Sequence, residues 1–196
     1  MSQPKGYSEA LAFFGLVACG ISVRLYFRDV PNFAPVAALA LFAGYFFASR
    51  TVALAVPLTI MMVSDTVLGY YHLPLMLTVY TMLALPVAAR GLMRRLFRFQ
   101  DGRWSSNLLS AGGLLGCGII SSVLFFLVTN FASWMVMGIY DKSWAGLLHC
   151  YAQGLPFFRY TLAGDLGFGL SLFVGYAVMR SVMVASRRQL AGDVAR

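Results

Sequence analysis

Long apolar runs recur along this chain, and the polar positions between them are few and clustered. A helix needs about 20 mostly apolar residues, within a range of roughly 17–25, to cross the hydrocarbon layer of a bilayer. On that scale the pattern predicts six spans, at about 8–27, 34–49, 51–70, 74–93, 106–137 and 161–185. The second is short and opens after Pro31 and Pro35, so a loop followed by a short helix is expected there. The stretch Trp144–Phe158 is amphipathic and interrupted by Gly154 and Pro156, and it reads as a helix lying at the membrane surface before the last span. The expected fold is all-α: one polytopic transmembrane domain over residues 1–196.

Composition agrees with the pattern. The chain is 60% hydrophobic and 11% charged, against about 25% charged residues in a soluble domain. Mean hydropathy is +0.75. The formal net charge of +8 would suit nucleic acid, but no basic stretch falls within a soluble folded region, so no nucleic-acid partner is expected. The charge instead sets orientation. With both termini inside, the cytoplasmic segments hold Lys5, Arg50, Arg90, Arg94, Arg95, Arg98, Arg103, Arg180, Arg187, Arg188 and Arg196. The outer side holds Arg24, Arg28, Lys142 and Arg159. That bias favours N-in, C-in with six spans, and places Tyr70, Tyr71, Trp134, Tyr140, Trp144 and Tyr160 at the outer interface. Leu16-Val17-Ala18-Cys19 followed by Gly20 has the form of a lipoprotein cleavage box. Glu9 breaks the basic leader and the apolar run continues past Cys19, so an ordinary span is expected.

The polar residues inside the spans gather in the outer half. Asp65 falls about five residues, roughly 7 Å, inside the outer end of the third span. Asp165 falls about one turn inside the sixth, Asn130 at similar depth in the fifth, and Arg159 just outside the sixth. A carboxylate within a span costs about 2.5–3.5 kcal/mol on insertion scales and faces a partner or a wet cavity. An outward-opening pocket would satisfy all four, lined by Tyr80, Trp134, Trp144 and Tyr151 and covered by the Pro31–Pro35 loop. Asn32 in that loop and Tyr71 complete the candidate substrate-binding set. The competing reading is structural: Asp165 caps the sixth helix, Arg159 pairs with it or snorkels to the interface, Asp65 bonds Ser64, Thr66 or a neighbouring helix, and Asn130 bonds between helices.

No catalytic or metal signature accompanies these residues. Cys19, Cys117 and Cys150 form no CxxC pair, and His72 and His149 lack metal-ligand spacing. GxxxxGK[ST], HExxH and GxSxG do not occur. The expectation is a protein that is not an enzyme and carries no cofactor. Small residues form stripes that let another helix approach closely: Ser8, Ala12, Gly15, Cys19 and Ser22 in the first span, Gly112 and Gly116 in the fifth, and Ala163, Gly167, Ser171 and Gly175 in the sixth.

The segments Pro31–Gly44 (PNFAPVAALALFAG), Ser64–Tyr71 (SDTVLGYY) and Leu155–Phe168 (LPFFRYTLAGDLGF) resemble a family of small bacterial integral-membrane proteins, over about residues 20–180. That family is similar to the substrate-binding S components of energy-coupling factor transporters. The resemblance implies a bacterial inner-membrane protein that captures a vitamin or related heterocycle near the outer face. It also implies docking on a transmembrane coupling subunit served by ATPases, with Ser8, Ala12, Gly15 and Cys19 as the docking face. A different class of reading is a membrane scaffold or assembly factor without a small-molecule ligand.

Overall fold

The structure, a computed structural model, describes residues 5–30, 32–97 and 104–194. Pro31, Arg98, Arg103 and Arg196 lie outside the described residues. The described residues form seven α-helices: α1 (Lys5–Tyr26), α2 (Val36–Phe46), α3 (Arg50–Leu68), α4 (Leu73–Ala88), α5 (Arg90–Leu96), α6 (Trp104–Val136) and α7 (Trp144–Val194). Five segments are long and apolar enough to cross a membrane: Tyr7–Tyr26, Arg50–Leu68, Leu73–Leu96, Ser105–Val136 and Trp144–Ser186. The chain is a multi-pass membrane protein.

The short helix α2 organises the rest. Its 11 residues extend only about 16 Å, roughly half of the ~30 Å hydrocarbon layer. It packs against every other helix, and Val36, Leu39, Ala40 and Ala43 are wholly buried. Its sequence, VAALALFAGYF, is rich in small residues that bring neighbours close. A Cβ on Gly44 would stand 3.2 Å from the Val87 backbone of α4.

A helix buried at both ends must find partners for its terminal N–H and C=O groups. Here charged side chains from other helices supply them. At the N-terminal end the N-cap is Pro35, which offers no side-chain acceptor. The Asp165 carboxylate of α7 takes that role, its Oδ1 accepting from the Ala38 N–H at 3.1 Å. At the C-terminal end the Arg90 guanidinium donates to the carbonyls of Gly44 (3.3 Å), Phe47 (2.7 Å) and Ala48 (2.7 Å). Arg94 donates to Tyr45 O at 2.8 Å and also to Phe47 O. An acid at the positive end and two guanidiniums at the negative end both match the helix macrodipole.

The two ends of α2 differ in packing. Around its C-terminal half Phe42, Tyr45 and Phe46 meet Phe173 and Tyr176 of α7 edge-on, and Phe42 and Phe46 stack on each other. Beyond its N-terminal end stands a cavity to which Ala34 and Ala37 contribute.

One expected element differs. Trp144–Phe158 is no separate surface helix; it is the first part of the unbroken α7, 51 residues long. Gly154 is a packing position, because a Cβ there would overlap the Asn130 amide and press on the Phe126 ring of α6. Pro156 is accommodated inside the helix, as prolines are in membrane helices when neighbours relieve the freed backbone groups. Two arginines counted only toward orientation are also structural: Arg24 lies within α1 with its side chain 12% exposed, and Arg90 is 7% exposed.

Candidate binding site

A cavity of about 310 Å³ occupies the space beyond the N-terminal end of α2. Ala34 and Ala37 are the residues that this end contributes, and no later residue of α2 reaches it. The walls are Arg24 of α1, Met61 of α3, Tyr71 of the α3–α4 connection, Leu75, Val79 and Leu83 of α4, Phe125, Thr129, Asn130 and Ser133 of α6, and Thr161 and Asp165 of α7, with Asn32 beside them. The hollow exists because α2 is short: α3 has 19 residues and runs about 12 Å further than α2.

On one side Arg24 dominates. It forms an ion pair with Asp65, Nη2 to Oδ1 at 2.9 Å. Its Nη1 donates to Ser64 Oγ at 2.7 Å and contacts Met61 Sδ at 2.6 Å. Ser64 can accept because its own proton goes to the Ile60 carbonyl. The second Asp65 oxygen accepts from the Tyr80 hydroxyl at 2.7 Å. Asp65, 1% exposed, is therefore held behind Arg24 by three helices. Tyr71 lies next to this group, outside the spanning segments. Burial and the Asp65 carboxylate push its phenol up to about 12 against the opposing pull of Arg24, so it stays an O–H donor.

On the other side, Asp165 is 3% exposed. Its Oδ1 holds α2 and its Oδ2 accepts from Ser122 Oγ of α6 at 2.7 Å. Thr161, one turn earlier on α7, donates to the Asn32 carbonyl at 3.0 Å. Asn32 has a left-handed backbone, φ 57°, which asparagine tolerates better than most residues. On α6, Thr129 donates to Phe125 O (2.7 Å), Asn130 Nδ2 to Phe126 O (2.8 Å) and Ser133 to Thr129 O (2.9 Å). A smaller hollow of about 50 Å³ adjoins between Asn130, Gly154, Phe157 and Phe158.

Of the nine residues singled out from sequence, Asn32, Tyr71, Asn130 and Asp165 line the cavity. Asp65 and Tyr80 stand one layer behind it, bound to each other, with Asp65 also held by Arg24. Trp134, Trp144 and Arg159 do not line it. The Trp134 indole donates to Asp141 O and stacks under Lys142 at the α6–α7 turn. Trp144 is 74% exposed. Arg159 points outward and bonds the Tyr160 hydroxyl at 2.8 Å, which rules out the expected Arg159–Asp165 pair. Asp165 does cap a helix, but it caps α2 and not its own. Tyr151 bonds Leu127 O across the α6–α7 contact and is not among the lining residues.

Sequence reasoning missed Arg24, Thr129, Ser133 and Thr161. The signals were present. Arg24 stands two residues before the end of α1 and Asp65 three before the end of α3, within one residue of the same distance from the helix ends. Ser122, Thr129 and Ser133 follow helical spacing on one face of α6, and Thr161 and Asp165 do so on α7.

In the small-residue stripe of α1, Ser8, Gly15, Cys19 and Ser22 are exposed, while Ala12 packs partly on the core. The α7 stripe of Ala163, Gly167, Ser171 and Gly175 is exposed throughout. Among the described residues no three His, Cys, Asp or Glu side chains gather as a metal site would require.

No curated protein and no solved structure matches the chain. A family model described as "Family of unknown function (DUF6580)" matches residues 5–188, and with nearly its whole length covered the chain belongs to that family.

Proposed function

We propose that this protein is a substrate-binding membrane subunit of an uptake system, capturing a small molecule from the outer side in the cavity above α2. The observation that carries the reading is the cavity itself. It lies inside the helical bundle, its volume is at the small end of the ~300–1,000 Å³ range of ligand sites, and polar groups from several helices converge on it across an apolar strip. In this reading α2 with its flanking segments is a sixth, shortened pass. The C-terminal ends of α1 and α3 meet through Arg24 and Asp65, and those of α2 and α4 meet through Arg90, so successive passes alternate. Both termini then lie in the cytoplasm, where Arg50, Arg94 and Arg95 also fall. The membrane is the bacterial inner membrane.

The outward-facing small residues of α1 support docking on a partner membrane subunit, as in energy-coupling factor systems. They equally favour a second reading, a membrane scaffold that docks in the same way and holds no ligand. Native mass spectrometry of gently purified protein separates the two. A retained small molecule, lost when Asn130 is replaced by Leu, supports capture. An empty cavity with stable retention of a larger complex supports the scaffold.

A further inference from the structure

The cavity walls differ in what they offer to a ligand, and the hydrogen-bond inventory shows how. A backbone carbonyl only accepts. The single proton of each hydroxyl bonded to a carbonyl is therefore committed. Thr129, Ser133 and Thr161 all spend theirs this way. Toward the cavity these three side chains present lone pairs and no donor. Asp165 adds a carboxylate with about four acceptor sites, two of them used by Ala38 and Ser122. Its partners are a backbone N–H and a hydroxyl, and no side-chain cation among the described residues pairs with it. Apart from the second N–H of the Asn130 amide, whose first goes to Phe126 O, the α6–α7 wall is an acceptor surface centred on a negative charge.

The opposite wall has the reverse character. Arg24 carries five N–H groups, and the bonds to Met61, Ser64 and Asp65 use three of them. The Tyr71 hydroxyl makes no hydrogen bond among the described residues. Asp65, which balances the Arg24 charge, is not part of the cavity surface. A ligand on this side meets donors. Between the two walls lie Met61, Leu75, Val79, Leu83 and Phe125, which are apolar.

Building on the capture reading above, we infer that the ligand is a small zwitterion of the amino-acid type. Its ammonium faces Asp165, Thr161 and Thr129, its carboxylate faces Arg24 and Tyr71, and its apolar body lies on the α4 side. A simple anion would leave the Asp165 wall without donors. A simple cation would meet the guanidinium on the other side. A dipolar molecule satisfies both walls and adds no net charge to a membrane-embedded site.

The test uses full-length protein in nanodiscs and the standard amino acids as probes. Each is offered as the free zwitterion, as its carboxamide and as its N-acetyl derivative, with binding read by thermal shift and native mass spectrometry. At least one free amino acid binds, and both capped forms of it bind about tenfold or more weakly, the loss expected when one charge-assisted hydrogen bond is removed. Tyr71→Phe and Trp144→Phe leave α2 and its caps untouched and keep the protein folded, Trp144 being exposed and outside the cavity. Y71F weakens the free amino acid about tenfold and its carboxamide less, whereas W144F leaves the preference for the zwitterion intact. If a capped form binds as tightly as the free amino acid, or if the protein retains a ligand of single charge while every amino acid fails, the inference is overturned and capture stands. If no small molecule of any kind is retained or bound, capture falls and the inference with it.

Discussion

Arg24 and Asp65 show how one residue pair decides the character of this site. Each is a charge inside the bundle, and each depends on the other. Removing one partner of a buried pair costs about 3–5 kcal/mol, because the remaining charge is stranded. Replacing both by apolar groups of similar size is far less harmful. Arg24→Met and Asp65→Leu are each expected to destabilise the protein by about that amount. The double variant is expected to recover most of the loss, in a double-mutant cycle read by denaturation in mixed micelles. Equal and additive losses would show that the pair is not coupled. The sequence made Asp65 conspicuous, because an acid in an apolar run has few explanations. It hid Arg24, because an arginine near a span end is also what a topology signal looks like. The hydroxyls were harder still. Threonine and serine are common in membrane helices, and their facing is known only once α6 and α7 are packed together.

At the scale of elements, α2 is the piece on which the others depend. Asp165→Ala removes its N-terminal cap and the favourable charge, a loss of about 1–2 kcal/mol. Asp165→Asn retains an acceptor for the Ala38 N–H and is expected to cost less. Arg90→Met leaves the carbonyls of Gly44 and Ala48 without their guanidinium partner, at about 1–3 kcal/mol per unsatisfied group. It should therefore be the most damaging of the three in thermal melts. Gly154→Ala against Gly167→Ala tests the continuous α7. The first drives a methyl into Asn130 and should cost about 1–3 kcal/mol through overpacking. The second meets nothing within 4 Å and should be close to neutral. Similar melts for both would contradict the α6–α7 packing. The shortness of α2 was legible from Pro31 and Pro35, which restrict the chain on its N-terminal side. The continuity of α7 was not, because Gly154 and Pro156 read locally as breakers. Only the neighbouring Asn130 and Phe126 show that the glycine makes room for α6.

For the whole molecule, the consequence is a bundle that is filled at one end and hollow at the other. Aromatic rings close the space around the C-terminal half of α2, and a cavity stands beyond its N-terminus. Five of the six expected spans are long apolar helices and the second, expected at 34–49, is the 11-residue α2; the gathering of polar groups toward one side was readable from the pattern of the chain. The cavity was not, since it follows from the difference in length between α2 and its neighbours. The long hairpin of α6 and α7 also exceeds any single crossing. At 33 and 51 residues, these helices extend about 50 and 75 Å, beyond the ~30 Å layer. Everything proposed for function requires the hollow to face the outside and to be wet. The direct measurement replaces Cys19, Cys117 and Cys150 by alanine, introduces Ser133→Cys in the cavity wall, and exposes intact cells to a membrane-impermeant thiol reagent. The account predicts modification from the outside, at a rate well above that of the Leu114→Cys variant, whose thiol sits at a buried position of the same helix. An S133C thiol that reacts only from the cytoplasmic side, or only after unfolding, would contradict it.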